Sequence, residues 1–313
     1  MLNYYMPLKE WLDEQNDGLE CGWGEILINI LITLGVVIFA LLFSWMISGE
    51  SLIFYDHPAL ILLFGLSFLI QWIAYIPSVT LKTEKFYDLT GSITYITVML
   101  ISIYLASLFN VLSIPKIIIA GAIIIWALRL GSFLFMRIHK AGEDKRFADI
   151  KVNPPRLLMT WTLQGLWVCI CSASALVALT SSMMLDISTI FIAGLALFII
   201  GFLLEVIADN QKTKFNSLPE NKDKFINVGL WSRSRHPNYF GEFLVWAGIS
   251  IMSIEYMSGL SYAALISPVF SYLLINYVSG VRMLENKARK KWGHLDSYKE
   301  YLAKTPKFMP KLF

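Results

Sequence analysis

Charged residues are scarce in this chain, 16% of 313 against 56% hydrophobic, and mean hydropathy is +0.59. That is too little polar surface to cover a soluble globule of this size. The three cysteines, Cys21, Cys169 and Cys171, form no CxxC pair. Residues two apart on a helix point away from each other, so a Cys169–Cys171 bridge is not expected and all three read as small core residues. No pair of His, Cys or acidic residues has zinc-like spacing, so no metal is expected. No GxGxxG, GxxxxGK[ST] or GxSxG occurs, which removes the soluble nucleotide-binding and hydrolase motifs. Repeats, heptads and low-complexity tracts are missing too. The formal charge is only +3 and its basic residues fall in loops between apolar runs, which argues for anionic lipid headgroups and against nucleic acid as a partner.

What the chain has in abundance is apolar runs of about 20 residues, the length that crosses a bilayer core. Eight can be drawn, at 26–47, 59–79, 89–109, 117–136, 157–180, 187–207, 239–257 and 262–281. Basic residues test the count, because they collect in short cytoplasmic loops. Two follow the second span, six the fourth counting Arg137 at its edge, six the sixth and nine the eighth, so 23 of 26 lie on one side, while the loops after odd-numbered spans hold only Lys116. The expected fold is an all-α polytopic membrane bundle of about eight helices with both termini cytoplasmic. Residues 1–25 are acidic and lack the basic start of a signal peptide. They read as an N-terminal cytoplasmic segment, followed by N-terminal spans over 26–85 and a main domain over 86–313. The tail 282–304 places Trp292, Leu295, Tyr298, Tyr301 and Leu302 at helical spacing among lysines, the pattern of an amphipathic helix.

Four polar clusters interrupt the apolar background. Arg129 lies about two turns inside the end of the fourth span, where an unpaired cation is costly, and Arg137 near the boundary can snorkel. On the sixth span Glu205, Asp209 and Lys212 fall at i, i+4 and i+7 on one face. An Asp209–Lys212 pair is the plain reading, but it leaves the intramembrane Glu205 unexplained. The segment 229–242 carries Arg233, Arg235, His236, Asn238, Tyr239 and Glu242, with Pro237 suited to a helix first turn. The free N–H groups of that helix start, beside two arginines, suit a phosphate. Finally, Tyr87, Asp88 and Tyr95 open the third span, where Asp88 also reads as a helix cap.

Taken together, these pieces resemble the membrane-embedded steroid 5-alpha-reductase and sterol reductase superfamily, especially its bacterial branch. The resemblance covers 86–313. It is carried by Phe-Tyr-Asp-Leu-Thr-Gly-Ser at 86–92, Trp-Ala-Leu-Arg-Leu-Gly at 126–131, Gly-Glu-Asp-Lys-Arg-Phe at 142–147, Gln-Gly-Leu-Trp at 164–167, Ala-Asp-Asn-Gln at 208–211 and the 229–242 segment. It implies an inner-membrane enzyme that uses NADPH to reduce a carbon–carbon double bond, usually conjugated to a ketone, in a steroid-like or other lipid-like substrate. It further implies that Arg129, Asp209, Asn238, Glu242 and Arg282 bind the dinucleotide. Arg137, Arg233, Arg235, His236 and Tyr239 are added from the reading of the residues themselves. Steroid-reducing members place a catalytic tyrosine where Trp126 stands here, and an indole N–H cannot replace a phenol as proton donor. Tyr87, Tyr95 or a protonated Asp88 are then the expected donors. The Arg-His-Pro-x-Tyr-x-Gly piece is also similar to isoprenylcysteine and phospholipid methyltransferases, so an S-adenosylmethionine-dependent lipid methyltransferase is the alternative. A non-catalytic lipid-binding or transporter-like protein is a third reading, which the collection of polar residues on one half of the bundle disfavours.

Overall fold

The computed structural model describes residues 8–311, without the side chains of 8–21, 140, 141, 145 and 279. Cys21 and most of the acidic N-terminal segment expected over 1–25 lie outside the described side chains. The chain forms α1 (Leu8–Ile47), α2 (Ala59–Leu81), α3 (Tyr87–Leu108), α4 (Ile114–Ala141), α5 (Pro154–Thr180), α6 (Thr189–Ser217), the single turn α7 (Leu230–Arg233), α8 (Pro237–Ser253), α9 (Ile266–Leu273), α10 (Val281–Trp292) and α11 (Asp296–Lys304). Among the described residues the only paired strands are Ile53–Phe54 and His57–Pro58, closed by Tyr55 and Asp56 at positive φ.

Among the described residues seven helical stretches are long and apolar enough to cross a membrane: Gly22–Ile47, α2, α3, Ile114–His139, α5, α6 and Gly259–Trp292. The all-α polytopic bundle expected from hydropathy is therefore the architecture observed, and this is a multi-pass membrane protein. The expected seventh span is α8, whose 17 residues run on into a 3-10 turn at Ile254–Tyr256. It packs along α6 at backbone distance. A Cβ on Gly241 would meet the Gly201 carbonyl at 2.6 Å, and one on Gly248 would meet the Phe198 nitrogen at 2.5 Å. Small residues at such crossings replace the hydrophobic drive that lipid does not supply. At the centre stands α5, with 83% of its most apolar window buried. Its Ser174 hydroxyl donates to the Ala264 carbonyl at 2.8 Å, joining α5 to the segment before α9.

Three local expectations are corrected. The eighth span is not one helix: it runs as a 3-10 stretch (Gly259–Leu265), α9, a π-helical stretch (Leu274–Ser279) and a bend at Gly280. A side chain at Gly280 would press on the Ile275 carbonyl at 2.9 Å and the Tyr239 ring at 3.2 Å, so only glycine fits there. The tail is two helices, because the chain breaks between α10 and α11 at Gly293–Leu295. Asp88 does not cap α3. The helix starts one residue earlier, with the Tyr87 N–H on the Glu84 carbonyl at 2.9 Å, so Asp88 sits in its first turn.

The loops after α2, α4 and α6 and the tail meet at one end of the bundle, called the basic end below. Glu84 accepts the Asp144 N–H at 2.8 Å and pairs with Lys151 at 3.3 Å, tying the first two of these loops. Lys291 pairs with Asp223 at 2.7 Å, and Phe308 packs among Phe240, Phe243 and Tyr272, tying the others.

Candidate functional site

Because α4 and α6 each bring polar groups one and two turns below the basic end, a buried network forms between them. Arg129 donates to Glu205 at 2.8 Å and to Asp209 at 2.7 Å. Glu205 also accepts the Trp126 indole N–H at 3.0 Å, and Asp209 accepts from the Asn238 amide at 3.1 Å. The i, i+4 pair of acids thus shares one guanidinium contributed by α4, and Asp209 does not take Lys212 as its partner. Instead the Lys212 ammonium lies 4.6 Å from the Trp231 ring centroid. Glu242, on the face of α8 that Asn238 also occupies, is buried within electrostatic reach of Glu205, Asp209 and Arg129. A single removed member would leave uncompensated charge in a low dielectric, so the network fixes how α4, α6 and α8 sit.

Above this network opens a cleft of about 570 Å³. Arg137 from α4, Arg146 from the following loop, Lys212 from α6 and Lys287 from α10 converge on it, and Asp209, His236, Asn238 and Tyr239 complete its floor. Arg146 is oriented by Asp144, with Nε on the carboxylate at 2.7 Å and the backbone N–H on the other oxygen at 2.9 Å. Burial works to raise the Asp144 carboxyl, but these bonds outweigh it and hold it below the ordinary carboxylate range. Glu143, Asp144 and Asp209 line the cleft as well, so its four cations leave it net positive.

A second cavity of about 270 Å³ adjoins it and shares Lys212, Asn216, Trp231, His236, Leu284 and Lys287. Its far side is aromatic, made by Phe225, Trp292, Tyr298 and Tyr301. Glu285 of α10 binds Arg235 at 2.5 Å and His236 at 2.8 Å between the two spaces. Burial pulls His236 below the ordinary imidazole range, against the opposing pull of Glu285. Three buried polar atoms at these walls have no partner within the protein: Arg235 Nε, His236 Nδ1 and Asn238 Oδ1. Buried polar groups are rarely left so, which marks the surface as one made to meet something else.

The structure brings together Arg137, Asp209, His236, Asn238 and Tyr239 in the cleft, with Arg129 and Glu242 behind it and Arg235 in the second cavity. Arg233 and Arg282 are exposed and line neither space. Of the expected proton donors, Tyr87 spends its hydroxyl on the Thr160 carbonyl at 3.1 Å and packs between Phe147 and Trp161. Asp88 is half-buried, within electrostatic reach of Arg146 and Arg137. Tyr95 lies deeper, with its ring centroid 5.3 Å from Trp126 and 5.5 Å from Trp246, and its buried hydroxyl has the Cys171 thiol beside it but no well-aligned hydrogen bond. Lys287 and Glu285 were not foreseen as site residues. They arrive because the bend at Gly280 folds α10 back over the cleft, and no local pattern in the tail announces that. Among the described residues no group of three or more His, Cys, Asp or Glu side chains is placed to hold a metal ion.

Comparison with curated proteins and with solved structures gives no match. The profile of the family described as "Protein of unknown function (DUF1295)" matches residues 74–305, which include every wall of the two cavities, and the chain belongs to that family.

Proposed function

We propose that this protein is a membrane reductase that uses NADPH to reduce a carbon–carbon double bond, conjugated to a carbonyl, in a lipid-like substrate. One observation carries the reading: four cations, Arg137, Arg146, Lys212 and Lys287, outnumber the three acids Glu143, Asp144 and Asp209 around a cleft whose floor offers an unpartnered amide oxygen at Asn238. A polyanion with a carboxamide suits that surface. S-adenosylmethionine, a sulfonium cation with a single carboxylate, brings no excess negative charge to a surface that is net positive. The resemblance of the 86–92, 126–131, 208–211 and 229–242 segments to the steroid and sterol reductases supports the same choice. So does the positive-inside pattern, which turns the basic end toward the cytoplasm, where NADPH is found.

In this reading Lys212, Lys287, Arg146 and Arg137 hold the phosphates, and Asn238, fixed by Asp209, orients the ring-bearing end. Arg129, Glu205 and Trp126 set the spacing of α4 and α6 and exclude water from beneath the cleft. Bound NADPH supplies the hydride. As hydride reaches the β carbon, the substrate carbonyl oxygen gains charge and needs a donor, and a proton must be delivered to complete the reduction. Tyr95 is assigned that role, because its hydroxyl has only the weakly bonding Cys171 thiol beside it and stays available to a substrate oxygen. Asp88 stands among Arg137 and Arg146, the cations assigned to the phosphates, and Tyr87 is committed to Thr160.

The test is anaerobic NADPH oxidation by reconstituted protein over a panel of lipid enones. Tyr95→Phe should lower kcat by about 100-fold or more while NADPH binding persists. An unchanged kcat in that variant would remove Tyr95 from the mechanism. Methyl transfer from S-adenosylmethionine, with no NADPH oxidation on any enone, would remove the reductase reading itself.

A further inference from the structure

The second cavity has no part in the reduction, yet it is as carefully built as the cleft. Its far wall is a cluster of four aromatic rings, in which Phe225 lies 5.1 Å from Tyr298, 5.3 Å from Tyr301 and 6.0 Å from Trp292, centroid to centroid. All four rings line the space. The Tyr301 hydroxyl donates to the Trp231 carbonyl at 2.7 Å and the Trp292 indole to the Asp223 carbonyl at 2.6 Å, so two of the rings are held in place. Rigid aromatic walls offer faces and edges to a planar base. At the waist joining the two cavities stand Lys212 and Lys287, and beside it the buried Arg235 Nε and His236 Nδ1 lack partners. At the outer rim stand two more lysines, Lys224 and Lys291. An aromatic chamber with one pair of lysines shared with the cleft and a second, exposed pair of its own offers a place for a base and separate cations for a diphosphate and a ribose phosphate.

We propose that this second cavity, built by α10, α11 and the 223–226 turn, is the adenosine subsite, and that Lys224 and Lys291 read a phosphate on the adenosine ribose. The proposal rests on the reductase reading for its dinucleotide and adds to it where the choice between phosphorylated and unphosphorylated cofactor is made. Arg146, from the loop after α4, lines only the first cleft. Lys291 is held at the rim by the exposed Asp223, 2.7 Å away, a weak pair that an incoming phosphate can replace.

The experiment is a titration of the purified full-length protein with adenosine 2′,5′-bisphosphate and with 5′-ADP, read by tryptophan fluorescence, for wild type and Lys224→Ala/Lys291→Ala. The wild type should bind the 2′,5′-bisphosphate at least about tenfold more tightly than 5′-ADP, and the double variant should bind both alike. Both lysines are exposed, and an unchanged melting temperature confirms that the variant is folded. Equal affinity of the wild type for the two nucleotides, or a preference the variant keeps, overturns the subsite even if NADPH is oxidised. Selective binding that the variant loses upholds it even if no enone is reduced, in which case it is the reductase reading that fails.

Discussion

Two buried cations on α4 have opposite settings. Lys116, near one end, is wholly buried, donates to the Ser181 carbonyl at 2.5 Å and lies 5.6 Å from the Tyr256 ring centroid, with no carboxylate paired to it. Arg129, toward the basic end, keeps 17% of its side chain exposed, is clasped by two carboxylates and stands beneath a cleft walled by further cations. Both lie within the apolar stretch Ile114–His139, where charge is expensive. Cost alone does not identify a site. What separates them is what surrounds the charge: Lys116 is spent on a carbonyl that ends α5, whereas Arg129 organises groups that remain unpartnered on a cavity wall.

The comparison can be pressed hardest at Glu205. Glu205→Ala leaves Arg129 half-paired and the Trp126 N–H without an acceptor, and should cost about 3–5 kcal/mol of stability in detergent thermal unfolding. A loss below about 1 kcal/mol would mean that the network does not hold α4 to α6. Next, Lys116→Met leaves one carbonyl unsatisfied and should cost at most about 2 kcal/mol, with NADPH affinity unchanged. A fall in that affinity would contradict the division between the two cations.

The smallest effect is one of pH. The His236 pKa in the folded protein lies below the ordinary value of 6.5, so the unfolded chain binds its proton more readily. Stability should therefore decline as pH falls below about 6.5 and level off once the lower folded value is passed. His236→Gln should flatten that part of the profile, measured as melting temperature against pH. An identical slope in the variant would show that another group is responsible.

Hydropathy and loop lysines made the bundle legible, because the bilayer leaves few ways to satisfy twenty apolar residues in a row. The face shared by Glu205 and Asp209, and that shared by Asn238 and Glu242, could likewise be read from helical spacing. The partner of Asp209 could not. The i, i+3 geometry favoured Lys212, and only the packing of α4 against α6 supplies Arg129. The broken last span was invisible for a similar reason: the Gly280 bend is packed against Tyr239, 41 positions earlier in the chain. Arg233 and Arg282 stand in sequence beside residues that reach the cavities, yet each is turned outward where its neighbours are not.

The most direct test of the account is equilibrium binding of NADPH to the purified protein, wild type against Lys212→Ala/Lys287→Ala. Both lysines stand at the waist between the cavities and neither belongs to the buried network, so the fold should persist. The account predicts saturable binding by the wild type that weakens at least about tenfold in the double variant. NADPH binding indifferent to these lysines, or binding of S-adenosylmethionine in its place, would contradict it.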